Sequence, residues 1–507
     1  MPIDSAPPPV ATTVITWPAP AGEVASPDFT EVSAGGVPLF VYQAPVRAEI
    51  LPTGGLASHK PDYVAERASF VIFDMSAPVT VRVVPGRPFK TATLRPERAG
   101  IATRVDGGAI EFTLDRPRKM TLLLDNDTRT ALHLFAGEPE KDVPAPGDPN
   151  VLYFGPGVHE TTGIALKSGQ TLYLAGGAVL KARLKPGDTG TYSEQWKVVF
   201  HHGSMLGLKG VKDVRIRGRG IMDASAIPHP GWNMLGFDGA RHVRVEGITL
   251  RNAANWNFTI GKSEDIEVRD VRIISGRINS DGINSVNSRR VRIHDCFVRN
   301  HDDSIVVKTT APDAPAEEIE VEGCTVWSDW GYALGVTYEN RSPVRNVSFR
   351  GNNIVYSRHW ALGIHLSDGA LVENITFSDT AISDQTGVTN PAGSPYAWLT
   401  PGPVLFRGAI LQDCWGHDPE RGRIRNVLVD GVTFYGKGIP PSELMGVDAT
   451  HDVRGVKFCN IRLAGQPPVA DLAGLSMKTN AFVSEVSCSP APAEEHTYHT
   501  PGRASTR

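Results

Sequence analysis

The sequence predicts an all-β protein in which a small antiparallel β-sandwich precedes a long parallel β-helix. The main observation is a strand pattern that recurs through the C-terminal two thirds of the 507 residues, at intervals in the twenties. The composition agrees, because 51 Gly and 39 Pro together with many β-branched residues are typical of turn-rich β proteins. The strands of the first 148 residues lack the repeat, which indicates a separate domain.

The N-terminal domain is predicted at residues 1–148. Its candidate strands are apolar segments separated by turn residues, which favours a small antiparallel sandwich. The strands are Ser69–Phe73, Val79–Val84, Ala109–Leu114 and Met120–Leu124, with turns at Asp106–Gly108 and Asp125–Asp127. The proline-rich segment 144–149 then marks the boundary with the next domain.

The repeat predicts the parallel β-helix at residues 149–487. Each copy has apolar residues at its second and fourth positions and ends in a turn residue, as in a short strand with one buried face. The second positions are Val214, Val243, Ile266, Val291, Ile319, Val347, Ile375, Val427 and Val456. Their spacing is 23–29 residues apart from one gap of 52, which holds either two turns or an insertion. Strands and turns at this period, without helical segments, indicate a solenoid.

Residues 488–507 are rich in Pro, Ala, Glu and Thr and are predicted to be a disordered tail. Lys and Arg (51) nearly balance Asp and Glu (55), so no nucleic-acid or membrane partner is expected, while a homo-oligomer is compatible with the sequence. No apolar run has the length of a membrane span. The N-terminus lacks a signal-peptide pattern, which favours a cytoplasmic protein if Met1 is the native start and a secreted one if a leader has been removed.

The cysteines and glycines indicate no cofactor and no metal. Five scattered Cys have no zinc-ligand spacing, and no phosphate-binding Gly loop occurs. The odd number of Cys argues against a full disulfide framework. Cys296 and Cys324 occupy equivalent places in successive repeats, so stacked core thiols are favoured over a disulfide.

Three aspartates are the candidate catalytic residues. Asp281 lies in Asn279-Ser-Asp-Gly282, and Asp302 and Asp303 follow 21 and 22 residues later, about one turn of a β-helix. Because neighbouring strands are about 4.8 Å apart, this spacing can bring the acids together. Clustered carboxylates repel, so one should keep its proton near neutral pH, and a proton donor beside ionised acceptors can hydrolyse a glycosidic bond. Consecutive strand residues face opposite sides, so Asp302 and Asp303 both reach a cleft only from a turn or bulge.

Several neighbouring residues are candidates for substrate binding. Aromatic faces suit sugar rings, amides and cations bind sugar hydroxyls or the acids, and His can act as a cation below its pKa. Each also has a structural interpretation, as a β-helix corner, a surface Lys or a packed aromatic residue. The candidates are Asn279, Trp256, His301, Lys308, Tyr332 and His365.

These motifs resemble the polygalacturonase-type glycoside hydrolases of family 28, over roughly residues 150–460. The resemblance is carried by Asn279-Ser-Asp-Gly282, the Asp302–Asp303 pair, Trp256 and Gly218-Arg-Gly-Ile-Met-Asp223. It implies a right-handed β-helix and an inverting hydrolase in which Asp302 is the general acid and Asp281 and Asp303 activate water. The related family 49 dextranase group, with a triple-Asp site and an N-terminal sandwich, is the nearest rival.

Two motifs of family 28 are changed here. Its Gly-His-Gly is Gly331-Tyr332-Ala333, and its Arg-Ile-Lys, which grips a uronate carboxylate, aligns with His365-Leu366-Ser367. Loss of two cations removes charge-assisted bonds to an acidic sugar. We therefore expect hydrolysis of the α-glycosidic bonds of a neutral or otherwise non-polygalacturonate glycan. The alternatives are a polygalacturonase or exo-uronidase acting on pectic oligosaccharides, a β-helix lyase or epimerase, and a non-catalytic glycan-binding protein.

Overall fold

The computed structural model describes residues 14–46, 66–194, 198–384, 403–412 and 415–493. The chain divides into two compact units, Met1–Ala44 with Arg67–Ala145 and Pro45–Glu66 with Pro146–Arg507. The domain limits predicted from the sequence stay predictions, and residues 494–507 of the predicted tail lie outside the described residues. Within the described ranges regular structure is strand, apart from short 3-10 turns at Glu97–Ala99 and Ala473–Leu475. No helix in these ranges has the length and hydropathy to cross a membrane.

The first unit contains two β-sheets whose apolar faces share one core, which includes Phe73, Val81 and Leu122. One sheet contains Val14–Ile15, Tyr42–Val46, Glu66–Met75, Ala92–Arg95, Lys119–Leu124 and Leu132–Gly137. The other contains Phe29–Ala34, Val37–Pro38, Val79–Pro85, Arg104–Asp106 and Ala109–Leu114. Glu66–Met75 pairs in parallel with Leu132–Gly137 and antiparallel with Val14–Ile15. Lys119–Leu124 pairs antiparallel with both of its neighbours, and all neighbouring strands of the second sheet are antiparallel. This arrangement fits the predicted sandwich.

The second unit is a stack of coils whose strands form three parallel sheets, so the predicted right-handed parallel β-helix is confirmed. Sheet 1 contains Val151–Phe154, Thr171–Leu174, Lys212–Gly218, Arg241–Glu246, Glu264–Arg269, Arg289–His294, Ala316–Glu322, Val344–Arg350, Leu371–Ser378, Arg423–Asp430, Val453–Cys459 and Val483–Ser489. Sheet 2 contains Gly157–Thr161, Ala178–Ala182, Ile221–Asp223, Thr249–Arg251, Arg272–Ile274, Phe297–Asn300, Thr325–Ser328, Asn353–Ser357, Ala381–Ser383, Thr433–Tyr435 and Arg462–Leu463. Sheet 3 contains Ile164–Ala165, Ser204–Lys209, Asn233–Asp238, Phe258–Gly261, Ile283–Val286, Ile305–Thr309, Tyr332–Asn340, Trp360–Leu366, Val404–Ile410, Ser442–Met445 and Lys478–Thr479. A hairpin of Thr191–Ser193 and Val198–Phe200 projects between two coils.

The repeat seen in the sequence is the register of sheet 1. All nine second-position residues, from Val214 to Val456, pair with one another in a single column across neighbouring coils. Ile375 pairs directly with Val427, so the gap of 52 residues is one coil with an insertion and not two turns. These side chains are buried in the continuous core of the β-helix.

The residue before each of these apolar positions has a positive φ, between 51° and 75°. The set is Asp213, His242, Asp265, Arg290, Glu318, Asn346, Asn374, Asn426 and Gly455. Each such residue is skipped by the strand pairing, as Asp213 is between the pairs Lys212–Arg241 and Val214–Val243. Asn, Asp and Gly tolerate this conformation, whereas it strains other residues.

The two equivalent cysteines lie in the core as predicted. Cys296 and Cys324 are buried free thiols, and burial raises the pKa of Cys324 well above its usual range. Stacked thiols, and not a disulfide, therefore occupy this place in the two coils. Cys414 lies outside the described residues.

Backbone strain at the residues with positive φ gives a testable prediction for one strand, Ala316–Glu322. Glu318 has a φ of 57°, whereas Glu320 does not have a positive φ. We expect Glu318→Gly to leave the free energy of unfolding unchanged or raise it by about 1 kcal/mol, because Gly relieves the strain. The matched control Glu320→Gly should lower it by about 0.5–1 kcal/mol. Urea denaturation measures both, and equal losses in the two variants would contradict the strain.

Candidate active site

The three candidate aspartates lie where the chain turns from sheet 2 into sheet 3, in two successive coils. Asp281 precedes the strand Ile283–Val286, and Asp302 and Asp303 precede the next strand of sheet 3, Ile305–Thr309. Those two strands pair in parallel, with Ile283 beside Ile305. Asp302 and Asp303 are thus turn residues, the condition under which both side chains can reach one cleft.

Two buried asparagines, which the sequence reasoning missed, fix the backbone of these turns. Asn257 donates from Nδ2 to the carbonyl oxygens of Ser280 and Asp281, both at 3.0 Å. In the turn of the next coil, Asn300 donates to the carbonyl oxygens of Asp302 and Asp303 at 2.9 and 2.8 Å. Each Asn also accepts a hydrogen bond from a serine hydroxyl, so its amide is held in place. The two Asn lie at different places in their coils, Asn257 before a strand of sheet 3 and Asn300 at the end of a strand of sheet 2, so the sequence carries no repeat that could have identified them.

Two motif glycines are required by close backbone contacts. A Cβ at Gly282 would lie 2.2 Å from the carbonyl oxygen of Ser304. A Cβ at Gly331 would lie 2.7 Å from the backbone nitrogen of Asp303, and Gly331 has a φ of 70°. The Gly of Asn-Ser-Asp-Gly and the Gly of Gly-Tyr-Ala therefore allow the coils to stack tightly beneath the aspartates.

Lys308 is the cation at the centre of the acidic cluster. Its Nζ lies 2.9 Å from Glu339 Oε2, 3.3 Å from Asp303 Oδ2 and 4.0 Å from Asp281 Oδ2. The last two oxygens are thus at most about 7.3 Å apart. Burial alone would lower the pKa of Lys308, but Glu339, Asp303 and Asp281 more than offset this and raise it above its usual range. Lys308 is therefore charged, although its side chain is 3% exposed.

Asp303 is held by three donors. Its Oδ1 accepts from the backbone N–H of Tyr332 at 2.9 Å, and its Oδ2 accepts from the Thr337 hydroxyl at 2.7 Å and from Lys308. Asp303 is buried. Three donors, one of them a cation, stabilise an ionised carboxylate.

Asp302 is the more accessible member of the pair, with intermediate exposure. Burial and then the charge of Asp303 raise the pKa of Asp302 to about 7. Its Oδ1 accepts from the backbone N–H of Asp303 at 2.9 Å, and Oδ2 has no hydrogen-bond partner among the described residues. Asp302 can thus carry a proton near neutral pH on an oxygen that is not otherwise engaged.

Asp281 is buried and accepts a hydrogen bond from Asn284 Nδ2 at 2.9 Å. Burial raises the pKa of Asp281 well above its usual range, and the charge of Asp302 raises it further, while Lys308 opposes the shift. Protonation of Asp302 removes that repulsion. The proton on Asp302 therefore favours ionisation of Asp281.

A β-bulge supplies a fourth carboxylate, which the sequence reasoning also missed. The register between Ile305–Thr309 and Tyr332–Asn340 shifts after Val307, where Tyr338 has a φ of 52°. The bulge brings the Thr337 hydroxyl to Asp303 and Glu339 to Lys308. A bulge inside an apolar strand gives little pattern in the sequence, which is why Glu339 was not found.

Three predicted substrate-binding residues surround this cluster. Trp256, of intermediate exposure, has its ring centroid 5.6 Å from Lys308 Nζ. Asn279, also of intermediate exposure, has a φ of 54° in the turn before Asp281. His301 is buried, and its ring stacks on Trp330 with centroids 5.7 Å apart. Its backbone N–H donates to the Ser280 hydroxyl, so it also joins the two turns.

Tyr332 and His365 lie in a buried aromatic group on the next coils. The Tyr332 ring stacks on Trp360 with centroids 4.5 Å apart, and its hydroxyl is 3.4 Å from His365 Nδ1. The His365 ring is 4.3 Å from that of Tyr338. Both predicted residues are fully buried. Tyr332 contacts Asp303 through its backbone N–H, whereas His365 contacts the rings of Tyr332 and Tyr338.

A buried cation, Arg407, lies beside His365, one coil beyond the altered Arg-Ile-Lys positions. Its Nη1 is 3.5 Å from His365 Nδ1, and its Nε lies 2.6 Å from Glu443 Oε1. Arg407 is 2% exposed, so its charge is balanced by Glu443 inside the protein. Much of the insertion between Ile375 and Val427, residues 385–402 and 413–414, lies outside the described residues.

The donor set at the site does not resemble a metal site. In the part of the chain that the structure describes, no three His, Cys, Asp or Glu side chains are placed to hold a metal ion. The centre of the acidic cluster is occupied by the Lys308 ammonium group.

Comparisons with known proteins show likeness to one family of glycoside hydrolases. A family model described as Glycosyl hydrolases family 28 matches residues 165–391, which include all three aspartates. A polygalacturonase of Saccharomyces cerevisiae is 25% identical over 235 residues, 43% of this chain and 63% of the relative. Exopolygalacturonase A of Aspergillus niger is 21% identical over 222 residues, 40% of this chain and 48% of the relative. The matches thus span less than two thirds of either relative.

The chain is thus similar to the family 28 model and to polygalacturonases over this part of its length, and the resemblance predicted from the sequence is confirmed. A hyperthermoactive exopolygalacturonase from Thermotoga maritima matches 68% of this polygalacturonase-like chain and 84% of its own, with a TM-score of 0.50 and 18% identity. Dex49A from Penicillium minioluteum matches 96% of this chain and 95% of its own, with a TM-score of 0.50 and 13% identity. At these identities the structures bear on the fold alone.

The central position of Lys308 gives a prediction for Lys308→Met. The variant leaves buried carboxylates without their cation, which should lower the free energy of unfolding at neutral pH by about 3–5 kcal/mol. The loss should shrink at acid pH, where the carboxylates take up protons. Because Lys308 lowers the pKa values of Asp281 and Asp302, both limbs of the pH–activity profile should move to higher pH.

Lys262→Met is the matched control for Lys308→Met. The Lys262 side chain is 50% exposed and lies 3.8 Å from the exposed Asp313, so its loss should change stability by less than about 1 kcal/mol. Thermal unfolding at pH 5 and pH 8 separates the variants. Equal small effects of the two substitutions would show that Lys308 does not hold the cluster.

Proposed function

We propose that this protein hydrolyses an α-glycosidic bond with inversion, using Asp302 as general acid and Asp281 and Asp303 to activate water. The observation that carries the proposal is the pairing of a part-exposed Asp302, whose pKa is raised to about 7, with an Asp303 held by three donors. An inverting glycosidase needs one carboxylic acid and an opposing carboxylate base.

In the proposed reaction Asp302 donates its proton to the glycosidic oxygen as the bond to the anomeric carbon breaks. The uncoordinated Oδ2 of Asp302 suits this role, because Oδ1 is already bonded to the backbone of Asp303. The repulsion by Asp303 helps to keep the proton on Asp302 near neutral pH, and the proton is transferred as the leaving oxygen becomes more basic during bond breaking.

The attacking water gives one proton to the carboxylate pair Asp281 and Asp303 as its oxygen bonds to the opposite face of the anomeric carbon. Both carboxylates lie within 4.0 Å of Lys308, which holds them close together. Asn284 orients Asp281 and Thr337 orients Asp303. The products are a free leaving-group hydroxyl and a sugar with inverted anomeric configuration.

Two substrate classes are candidates. The names of the relatives, polygalacturonase and exopolygalacturonase, favour an α-linked galacturonate chain. The charges at the site favour a neutral sugar instead, as the sequence analysis expects. His365 and Ser367 replace two cations, and the buried cations Lys308 and Arg407 are balanced by Glu339 and Glu443.

Asp302→Asn tests the proposal, because the amide keeps the shape of the acid but cannot donate a carboxylic proton. We expect turnover to fall by at least about a hundredfold, the usual contribution of a general acid. Reducing-sugar release from polygalacturonate and from neutral α-glycans, with product anomers followed by NMR, measures the effect and identifies the substrate class.

The control is Asp313→Asn, an exposed aspartate beside Lys262, which should keep full turnover. Retained activity in Asp302→Asn, or a first product with the original anomeric configuration, would refute the proposed roles. Robust hydrolysis of polygalacturonate by the wild-type protein would exclude the neutral-sugar class.

A further inference from the structure

Glu339 adds a carboxylate to the site beyond the three proposed catalytic aspartates. It lies on the bulged strand Tyr332–Asn340, with its side chain 15% exposed, whereas the neighbouring Lys308 and Asp303 side chains are 3% and 1% exposed. Glu339 therefore presents negative charge at the accessible side of the cluster.

The bond between Glu339 and Lys308 removes the site's nearest cation from the reach of a ligand. Glu339 Oε2 accepts from Lys308 Nζ at 2.9 Å, the shortest of the three contacts between this ammonium group and carboxylates. An ammonium group has three donor hydrogens, and the surrounding acids already use its charge. A sugar carboxylate at this point would meet Glu339 and not a free cation.

The other oxygen of Glu339 remains able to accept a hydrogen bond. Oε1 has no hydrogen-bond partner among the described residues, and Glu339 is only part-buried. Asn284 and Thr337 are fully buried, and each donates a hydrogen bond to a proposed catalytic aspartate. The chemistry of this surface suits a sugar hydroxyl, which donates to a carboxylate.

We propose that Glu339 is a specificity-determining residue that binds a hydroxyl of an uncharged sugar and repels a uronate carboxylate at the catalytic centre. The inference rests on the proposed function, since it places the reacting sugar beside Asp302 and Lys308. Like charges placed together in an interface oppose binding strongly. Glu339 thus selects against an acidic sugar in a protein whose relatives bear the name polygalacturonase.

The test uses two ligands with the same sugar chain, a galacturonate trisaccharide and its methyl ester, in which each carboxylate charge is replaced by a neutral ester. Binding is measured by titration calorimetry to the Asp302→Asn protein, so the result does not depend on turnover. We expect the methyl ester to bind at least about tenfold more tightly than the free acid. Adding Glu339→Gln should abolish most of this preference by improving the binding of the acid.

Two further variants keep the test decisive. Glu339→Asp retains the charge and should retain the preference for the ester, whereas Glu317→Gln, on the outer surface of sheet 1 beside Arg345, should change nothing. Thermal unfolding of each variant verifies its fold. If Glu339→Gln does not fold, a preference for the ester in both the Asp302→Asn protein and Glu339→Asp supports the role of Glu339. Equal binding of acid and ester by these proteins contradicts it.

Equal binding of acid and ester, or a preference that Glu339→Gln leaves unchanged, would overturn the role of Glu339. That outcome is distinct from failure of the proposed function, which would appear as absence of turnover by the wild-type protein on every glycan. Preferential binding of the ester without any turnover would support Glu339 as a selective group and refute the hydrolase mechanism.

Discussion

The ammonium group of Lys308 is the interaction on which the site depends. Three buried or part-buried carboxylates lie within 4.0 Å of it, and a cluster of such acids without a cation would take up protons or move apart. With Lys308 in place, Asp303 keeps its three donors, and burial together with the charge of Asp303 raises the pKa of Asp302 to about 7 although Lys308 lowers it. These carboxylates also balance the charge of Lys308, which an acidic substrate would need for binding. The pKa of the proposed acid and the charge of the substrate are therefore linked through Lys308.

The β-helix makes this cluster possible because it converts sequence distance into short contacts between coils. Asp281, Asp303 and Thr337 come from three successive coils, and parallel pairing in sheet 3 fixes their relative height. Asn257 and Asn300 hold the turn carbonyls, so the aspartate side chains project from a rigid backbone. The bulge at Tyr338 is the irregular element of this cluster. It places the Thr337 hydroxyl beside Asp303 and the Glu339 carboxylate beside Lys308.

The sequence was sufficient to predict the β-helix, because the spacing of the repeat reflects the register between strands of neighbouring coils. Val214 to Val456 form one column, and the three aspartates follow from one-coil spacing. Glu339 could not be predicted, since a bulge breaks the alternation by which strand residues are assigned to faces. Asn257 and Asn300 resemble ordinary corner residues in sequence. The burial of His365 beside Arg407 depends on packing across several coils, which local pattern does not encode.

The proposed mechanism requires Asp302 to carry a proton near neutral pH. Carbon-13 NMR titration of labelled aspartate carboxyl carbons tests this directly, with the Asp302 signal assigned by its loss in Asp302→Asn. We predict a midpoint near pH 7 for Asp302. An Asp302 that is already ionised at pH 5, with the proton held elsewhere in the cluster, would contradict the account.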